Sequence, residues 1–467
     1  MRTKVSYFDL HYHLQEVTIE NVKNVKYGKI NFMNKDQPLN TVGIYGANGS
    51  GKTTFVDAMT LVKTIIEASV VPKSEDLYHS LVDLVPLGEG NTPTISVAIA
   101  GEEADVTYQV TFSTKQSRLW IDEERIYYKR NVPRAKTRLL FHYKQGAKLS
   151  SAIDLPLLDL TKSVESTVAK PKNQIKLGIV SGIAQPKGSS LFFNDQMVTI
   201  VQDEKIFGPE LHYVQEIFNT FALNLSIYSS KISGQIYSDI SLPLSFSVEG
   251  GFGMTEIPMD GKHEIEPSTY KFSQKIFEQI NQMLPILIPQ LTISLVKKDT
   301  VITKDQQELN VVELMAERDG KEYPLRYESD GIKKIISILS TLINVYNTPR
   351  AIAIIDELDA GIFEYLLGEI VDVIAENAKG LLIFTSHNLR PLEVLDYKKI
   401  VFTSTNPANR YITIKNIKPT NNLRDTYIRA IQLGGMDEPV FEKVNPTKIK
   451  RAFRSARKVE EESHDGE

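Results

Sequence analysis

TVGIYGANGSGKTTFVDAM, residues 41–59, is the stretch that decides the fold. Thr41–Tyr45 reads as a buried strand running straight into a glycine-rich turn. That turn, Gly46-Ala47-Asn48-Gly49-Ser50-Gly51-Lys52-Thr53, matches G-x-x-x-x-G-K-[ST]. Beyond it, apolar residues at 55, 58, 59, 61, 62, 65 and 66 keep a helical period. Strand, glycine-rich loop and helix, in that order, build a phosphate cradle. Backbone N–H groups turn inward around the phosphates, and the helix N-terminus adds a dipole favourable to negative charge. In such a loop Lys52 bridges the β- and γ-phosphates and Thr53 binds Mg²⁺.

Three further elements lie in the C-terminal half. Ala351–Ile355 is an apolar run expected as a buried parallel strand, and Asp356 and Glu357 follow at its carboxyl end. Ligands bind at that end of open α/β sheets. Asp356 is placed to hold the Mg²⁺ shell, and Glu357 to orient or deprotonate an attacking water. LLIFTSHN (381–388) ends another strand with His387, which can hydrogen-bond a γ-phosphate or that water. YESDGIKK (327–334) puts Ser329 and Gly331 at a helix N-terminus, an anion-binding turn.

Around these elements the chain alternates in type. VTI (17–19) and KINF (29–32) suggest an opening hairpin, and residues 94–144 an antiparallel meander. Ser150–Gly188, rich in Lys, Ser and Pro, reads as loop. Leu211–Asn224 reads as an amphipathic helix, 246–268 as an exposed loop around GGFGM, and Tyr270–Leu284 as a helix. From 291 strands and helices alternate, with Asp319-Gly320 as a hairpin turn. Two C-terminal helices are expected near 422–433 and 446–456. The second carries Lys448, Lys450, Arg451 and Arg454 ahead of an acidic tail. The expected division is 1–145 (P-loop and β meander), 146–290 (a helical, loop-rich insert), 291–435 (the elements around Ser329, Asp356 and His387) and 436–467 (basic helix and tail). The expected fold is α/β: a P-loop NTPase with an antiparallel β meander and a mixed or parallel core sheet, plus the smaller insert.

Composition narrows the chemistry. The 467 residues contain no cysteine, so disulfides, thiolate zinc, Fe–S clusters and cysteine nucleophiles are excluded. The formal charge of −4 argues against a wholly basic nucleic-acid coat. The N-terminal stretch lacks the apolar core of a signal peptide, and no run approaches a membrane span, so a cytoplasmic location is expected. His11-x-His13 lacks further ligands nearby for a metal, and Arg457 and His464 lack the bundle context of an R-x6-H ribonuclease.

The four elements, in this order, resemble the ABC-type ATPase head, in the branch shared by SMC proteins, double-strand-break repair ATPases and OLD-family proteins. VTIENVKNVKYGKINF resembles its opening hairpin, YGANGSGKTTFVDAM its P-loop, ESDGIKKI its signature, IIDELDAGI its Walker B and D-loop, and TSHN its H-loop. The resemblance implies an AAA family ATPase using ATP and Mg²⁺. Gly46, Asn48, Gly49, Ser50, Gly51, Lys52, Thr53 and Thr54 would hold nucleotide, with Lys23 and Asn24 beside it. Thr53 and Asp356 would serve the metal, and Glu357 and His387 the chemistry. Asp359 would be the D-loop acid. Ser329 and Gly331 would reach ATP bound to a second protomer, which implies a homodimer and leaves room for a higher oligomer. The family's Q-loop glutamine has no clear place; Gln109 and Gln116 lie nearest. Compact heads without a TOPRIM domain resemble the ATPase components of anti-phage systems such as PARIS, Septu and some retrons. By that resemblance the partner is a separate nuclease or toxin effector, with no membrane involved. A DNA-repair clamp, with nucleic acid as partner, and an ATP-gated scaffold are the alternatives.

Overall fold

The computed structural model describes residues 10–68, 81–85, 92–145, 153–154, 171–201, 204–248, 251–414, 423–433, 438–441 and 445–464. Its centre is a six-stranded sheet. The strand order is Leu225–Tyr228, Ile352–Ile355, Leu381–Ser386, Thr41–Tyr45, Ile400–Thr403, Tyr411–Ile412. The first five run parallel, and the two-residue strand at the edge is antiparallel. The strands are apolar on both faces because helices cover both. Alternate side chains divide between two cores, as a period of two requires. Val42, Ile44, Ile354 and Ile383 join one core; Tyr45, Ile355, Phe384 and Phe402 join the other.

The first core lies between this sheet and a seven-stranded antiparallel one. That second sheet begins with the expected hairpin, Tyr12–Val22 against Val25–Asn31. It continues through the meander Thr94–Gly101, Ala104–Lys115, Arg118–Arg130 and Arg138–Lys144. Lys52–Glu67 and Glu204–Leu223 fill the space between, burying Phe55, Met59, Leu61, Phe218 and Phe221. The second core packs the helices Asp330–Asn347 and Glu364–Asn377 on the opposite face. The architecture is α/β, with the expected antiparallel meander and parallel core sheet.

The stretch 146–290 differs from expectation in two places. Pro171–Lys187 is a helix where loop was expected; the LGIVSGIA segment outweighs the flanking Lys and Pro. Residues 246–268, expected as exposed loop, hold strands. Ser241–Val248 pairs with Gly251–Pro258, and Lys262–Ile265 pairs with Glu308–Arg318. Gly251 and Gly253 of GGFGM belong to that strand pair rather than to a free loop. Leu225–Tyr228, from the same stretch, is the edge strand beside Ile352–Ile355. The part of 146–170 outside 153–154, and the acidic residues 465–467, lie outside the described residues. Among the described residues no helix is long and apolar enough to cross a membrane.

Candidate nucleotide site at the carboxyl ends of the parallel strands

Three adjacent parallel strands deliver three of the four expected elements to one edge. The glycine-rich loop leaves Thr41–Tyr45, Asp356 and Glu357 follow Ile352–Ile355, and His387 follows Leu381–Ser386. Gly51 occupies the position before the helix at φ 100°, a left-handed conformation that only glycine adopts cheaply. The 16-residue helix that follows has no side-chain cap and no acid in its first turn. Its N–H groups and dipole therefore face the loop uncompensated, which is the chemistry an anion requires. Lys52 is buried, and its Nζ donates to the carbonyls of Gly46 (2.9 Å) and Ala47 (3.0 Å). Burial pulls its pKa down, while Asp356, Glu357 and Asp359 oppose that pull.

The loop is braced from two directions. Asn24, in the turn of the opening hairpin, donates to the Gly49 carbonyl, and its Oδ1 accepts the Thr54 hydroxyl at 3.1 Å. Lys23, with φ 49°, instead pairs with Asp57 on the helix. From the far edge of the sheet, Tyr411 donates its hydroxyl to the Gly51 carbonyl at 2.8 Å. Arg410 donates to the Asn24 carbonyl at 2.8 Å, and Ser50 and Thr403 share a hydroxyl contact at 2.5 Å.

The carboxylate turn is just as closely held. Asp356 is 1% exposed; its Oδ1 accepts from Thr385 Oγ1 at 2.6 Å and its Oδ2 from Ser230 at 3.4 Å. Glu357 is exposed and sits at φ 50°, a conformation that costs a non-glycine residue about 1–2 kcal/mol. Its N–H donates to Thr385 Oγ1 at 2.8 Å, and its carbonyl accepts from Lys334. Asp359 ties this turn to the next strand: one carboxylate oxygen accepts the N–H groups of His387 (3.2 Å) and Asn388 (3.0 Å). Burial, reinforced by the Lys52 charge, lowers the His387 pKa. Ser230, just past the end of the edge strand, reaches Asp356 from the side.

Ser329 caps the helix Asp330–Asn347, accepting the Ile332 N–H at 3.4 Å. Gly331 is required by close approach: a Cβ there would lie 1.9 Å from the Gly361 carbonyl oxygen. The Ser329–Gly331 turn therefore packs directly on the Asp359–Gly361 turn of its own chain.

Residues 16–219 match the family model of an AAA domain. The AAA match covers the opening hairpin, the glycine-rich loop and the meander. No curated protein matches this chain. Among solved structures, the Smc head domain with an extended coiled coil from Pyrococcus furiosus, bound to the C-terminal domain of ScpA, is similar at 14% identity. That match covers 87% of this chain and 97% of that chain, with a TM-score of 0.36. The SMC head domain from Thermotoga maritima is 13% identical, over 86% of this chain and 99% of that one, with a TM-score of 0.33. The Smc head domain with a coiled coil and joint from Pyrococcus yayanosii is 12% identical, over 89% and 100%, with a TM-score of 0.38.

Gln109 and Gln116, the glutamines nearest a Q-loop in sequence, lie in the antiparallel meander. Gln109 is in the antiparallel sheet, bonded to Ser96, and Gln116 is in the hairpin turn between Ala104–Lys115 and Arg118–Arg130. Ser230, Thr403, Arg410 and Lys334 carry contacts that no local motif announced. Among the described residues no group of three or more His, Cys, Asp or Glu side chains could hold a metal. The donors here are a threonine hydroxyl and one buried carboxylate, a set that fits a phosphate-bound Mg²⁺ keeping several waters.

Proposed function

We propose that this chain binds and hydrolyses ATP as an ABC-type ATPase and dimerises when ATP is bound. The supporting observation is the convergence of Lys52, Asp356, Glu357 and His387 on one strand edge, beside an uncapped helix N-terminus. Lys52 and the Gly46–Thr54 loop would hold the phosphates, with Asn24 bracing the loop and Lys23 beside the nucleotide. Thr53 and Asp356 would serve the Mg²⁺, which supplies charge neutralisation when bound. Glu357 would orient the attacking water and accept its proton, and His387 would steady the γ-phosphate side. Such catalysis is mostly positioning and charge stabilisation. Ser329 and Gly331 would close over ATP in a second protomer. ATP turnover by purified protein, with ATP-dependent mass by light scattering, tests this. A protein that binds no ATP, or stays monomeric with ATP when Glu357→Gln is introduced, would refute it.

The output we propose is control of a separate nuclease or toxin effector in anti-phage defence. It is supported by the resemblance to compact defence ATPases and by a 146–290 stretch that returns its strand to the core sheet instead of forming an arm. Co-expression with neighbouring genes tests it: unchanged phage plating and no co-purifying effector would count against it. One feature favours the DNA-clamp alternative. The helix Pro446–His464 exposes Lys448, Lys450, Arg451 and Arg454 together. Salt-dependent DNA binding that stimulates hydrolysis would favour that reading.

A further inference from the structure

Lys334 is a lysine that neither the phosphate loop nor the Walker B strand accounts for. It sits one turn into the helix whose N-terminus carries Ser329 and Gly331, and it is 1% exposed. Buried lysines are rare without a partner. Its Nζ reaches across to the backbone carbonyl of Glu357. The charges that favour its ammonium are Asp359, Glu357 and Asp356, working against burial, which pulls its pKa down to about 8. The neighbouring Lys333, also buried, does something different, pairing with Asp239 and Asp330.

The carbonyl it holds belongs to a strained residue. Glu357 is in the left-handed region, and such residues persist where their surroundings over-determine them. Here the peptide groups on either side of Glu357 are pinned from opposite sides. Thr385 takes the N–H from the neighbouring strand, and Lys334 holds the C=O from the signature helix. The Gly331 backbone against the Gly361 carbonyl is a second contact between the same two turns.

We propose that Lys334 is a positioning residue. It aims Glu357 by fixing its carbonyl, and it joins the Ser329–Gly331 turn to the Glu357 turn of the same protomer. Engagement of the signature turn by a partner's nucleotide is thereby felt at the chain's own hydrolytic carboxylate. The proposal rests on the ATPase reading above and adds the internal link between the two faces of a protomer.

The test uses the full chain carrying Lys334→Met and, separately, Lys334→Arg. Steady-state ATP hydrolysis, ATP affinity from a fluorescent analogue, ATP-dependent dimer mass and thermal melting are measured on each. Lys334→Met should lower kcat about tenfold or more while leaving ATP affinity and dimer mass within about twofold, the pattern of a lost transition-state contact. Its melting temperature should hold or rise, because a buried ammonium has been replaced by an apolar chain of similar length. Lys334→Arg, which keeps a charged donor, should recover most of the rate. Wild-type kcat in Lys334→Met would overturn the proposal. So would a rate loss in both variants that tracks a fall in melting temperature, because that would mark a packing role. Wild-type protein that binds ATP without turnover would instead refute the ATPase reading, and this proposal with it.

Discussion

Thr385 and Asp356 are joined by a 2.6 Å hydrogen bond from the threonine hydroxyl to a buried carboxylate oxygen, and the same hydroxyl accepts the Glu357 N–H at 2.8 Å. One side chain on the central strand thus sets both acids of the candidate site. Thr385→Val keeps the shape and removes the hydroxyl. It leaves a buried carboxylate short of a donor and a backbone N–H short of an acceptor, a cost of about 1–3 kcal/mol. The expected outcome is a lower denaturation midpoint together with at least a tenfold loss of ATP turnover, roughly 1.4 kcal/mol in the barrier. Full activity in a destabilised Thr385→Val protein would separate the acids' function from this bond.

The glycine-rich loop and the Glu357 turn should fail in different ways. Lys52→Ala removes the cation that closes the loop, so ATP binding itself should be lost, read by fluorescent-analogue titration. Glu357→Gln keeps size and hydrogen bonding but cannot take a proton. It should bind ATP normally, hydrolyse about 100-fold or more slowly, as loss of a general base implies, and accumulate as the dimer. Turnover at the wild-type rate would remove Glu357 from the base role.

Close packing makes a sharper prediction at Gly331. A methyl group there meets the Gly361 carbonyl oxygen at 1.9 Å, backbone against backbone, so one of the two turns must move. Gly331→Ala should therefore reduce hydrolysis even though it touches no nucleotide in its own chain. Ser329→Arg, by contrast, adds bulk on the exposed side of the cap. It should block ATP-dependent dimerisation while sparing ATP binding by the monomer. Equal loss of binding and dimerisation in Ser329→Arg would argue against a site completed in trans.

The elements that a sequence can announce are the local ones. The glycine-rich loop, the Ala351–Glu357 run and the strand ending at His387 each compress a fold signal and a polar signal into about ten residues. Their placement on adjacent strands follows from those signals. What bound them together was not local. Ser230 meets Asp356 from just beyond a four-residue edge strand, LSIY, that follows a long helix almost at once. Arg410 and Tyr411 brace the loop from the far side of the sheet, and nothing in their neighbourhood marks them. Gln109 and Gln116 belong to the meander that comes next in sequence, whereas the hydroxyl that meets Asp356 is that of Ser230, more than a hundred residues further on. The hairpin 241–258 was hidden by its glycines, and the helix 171–187 by a polar, weakly patterned face.

Acid sensitivity should report on His387. Burial and the nearby Lys52 charge hold its pKa below the ordinary imidazole value of 6.5. The folded state therefore binds fewer protons there than the unfolded chain does as pH falls below that value. The linkage sign follows: the histidine's contribution to stability is present above pH 6.5 and is lost as pH falls through the lowered pKa. At neutral pH the ring is uncharged and can donate one hydrogen bond and accept another beside Glu357. Protonation would add a second cation next to Lys52 and remove the acceptor. ATP turnover measured from pH 5 to 8 should then show an acid limb centred below 6.5. His387→Gln should lower the plateau by about 10- to 100-fold, in the range of losing one stabilising group at the reacting centre, and should flatten that limb. An unchanged acid limb in His387→Gln would assign the titration to another group, and an unchanged plateau would place the ring outside the reaction.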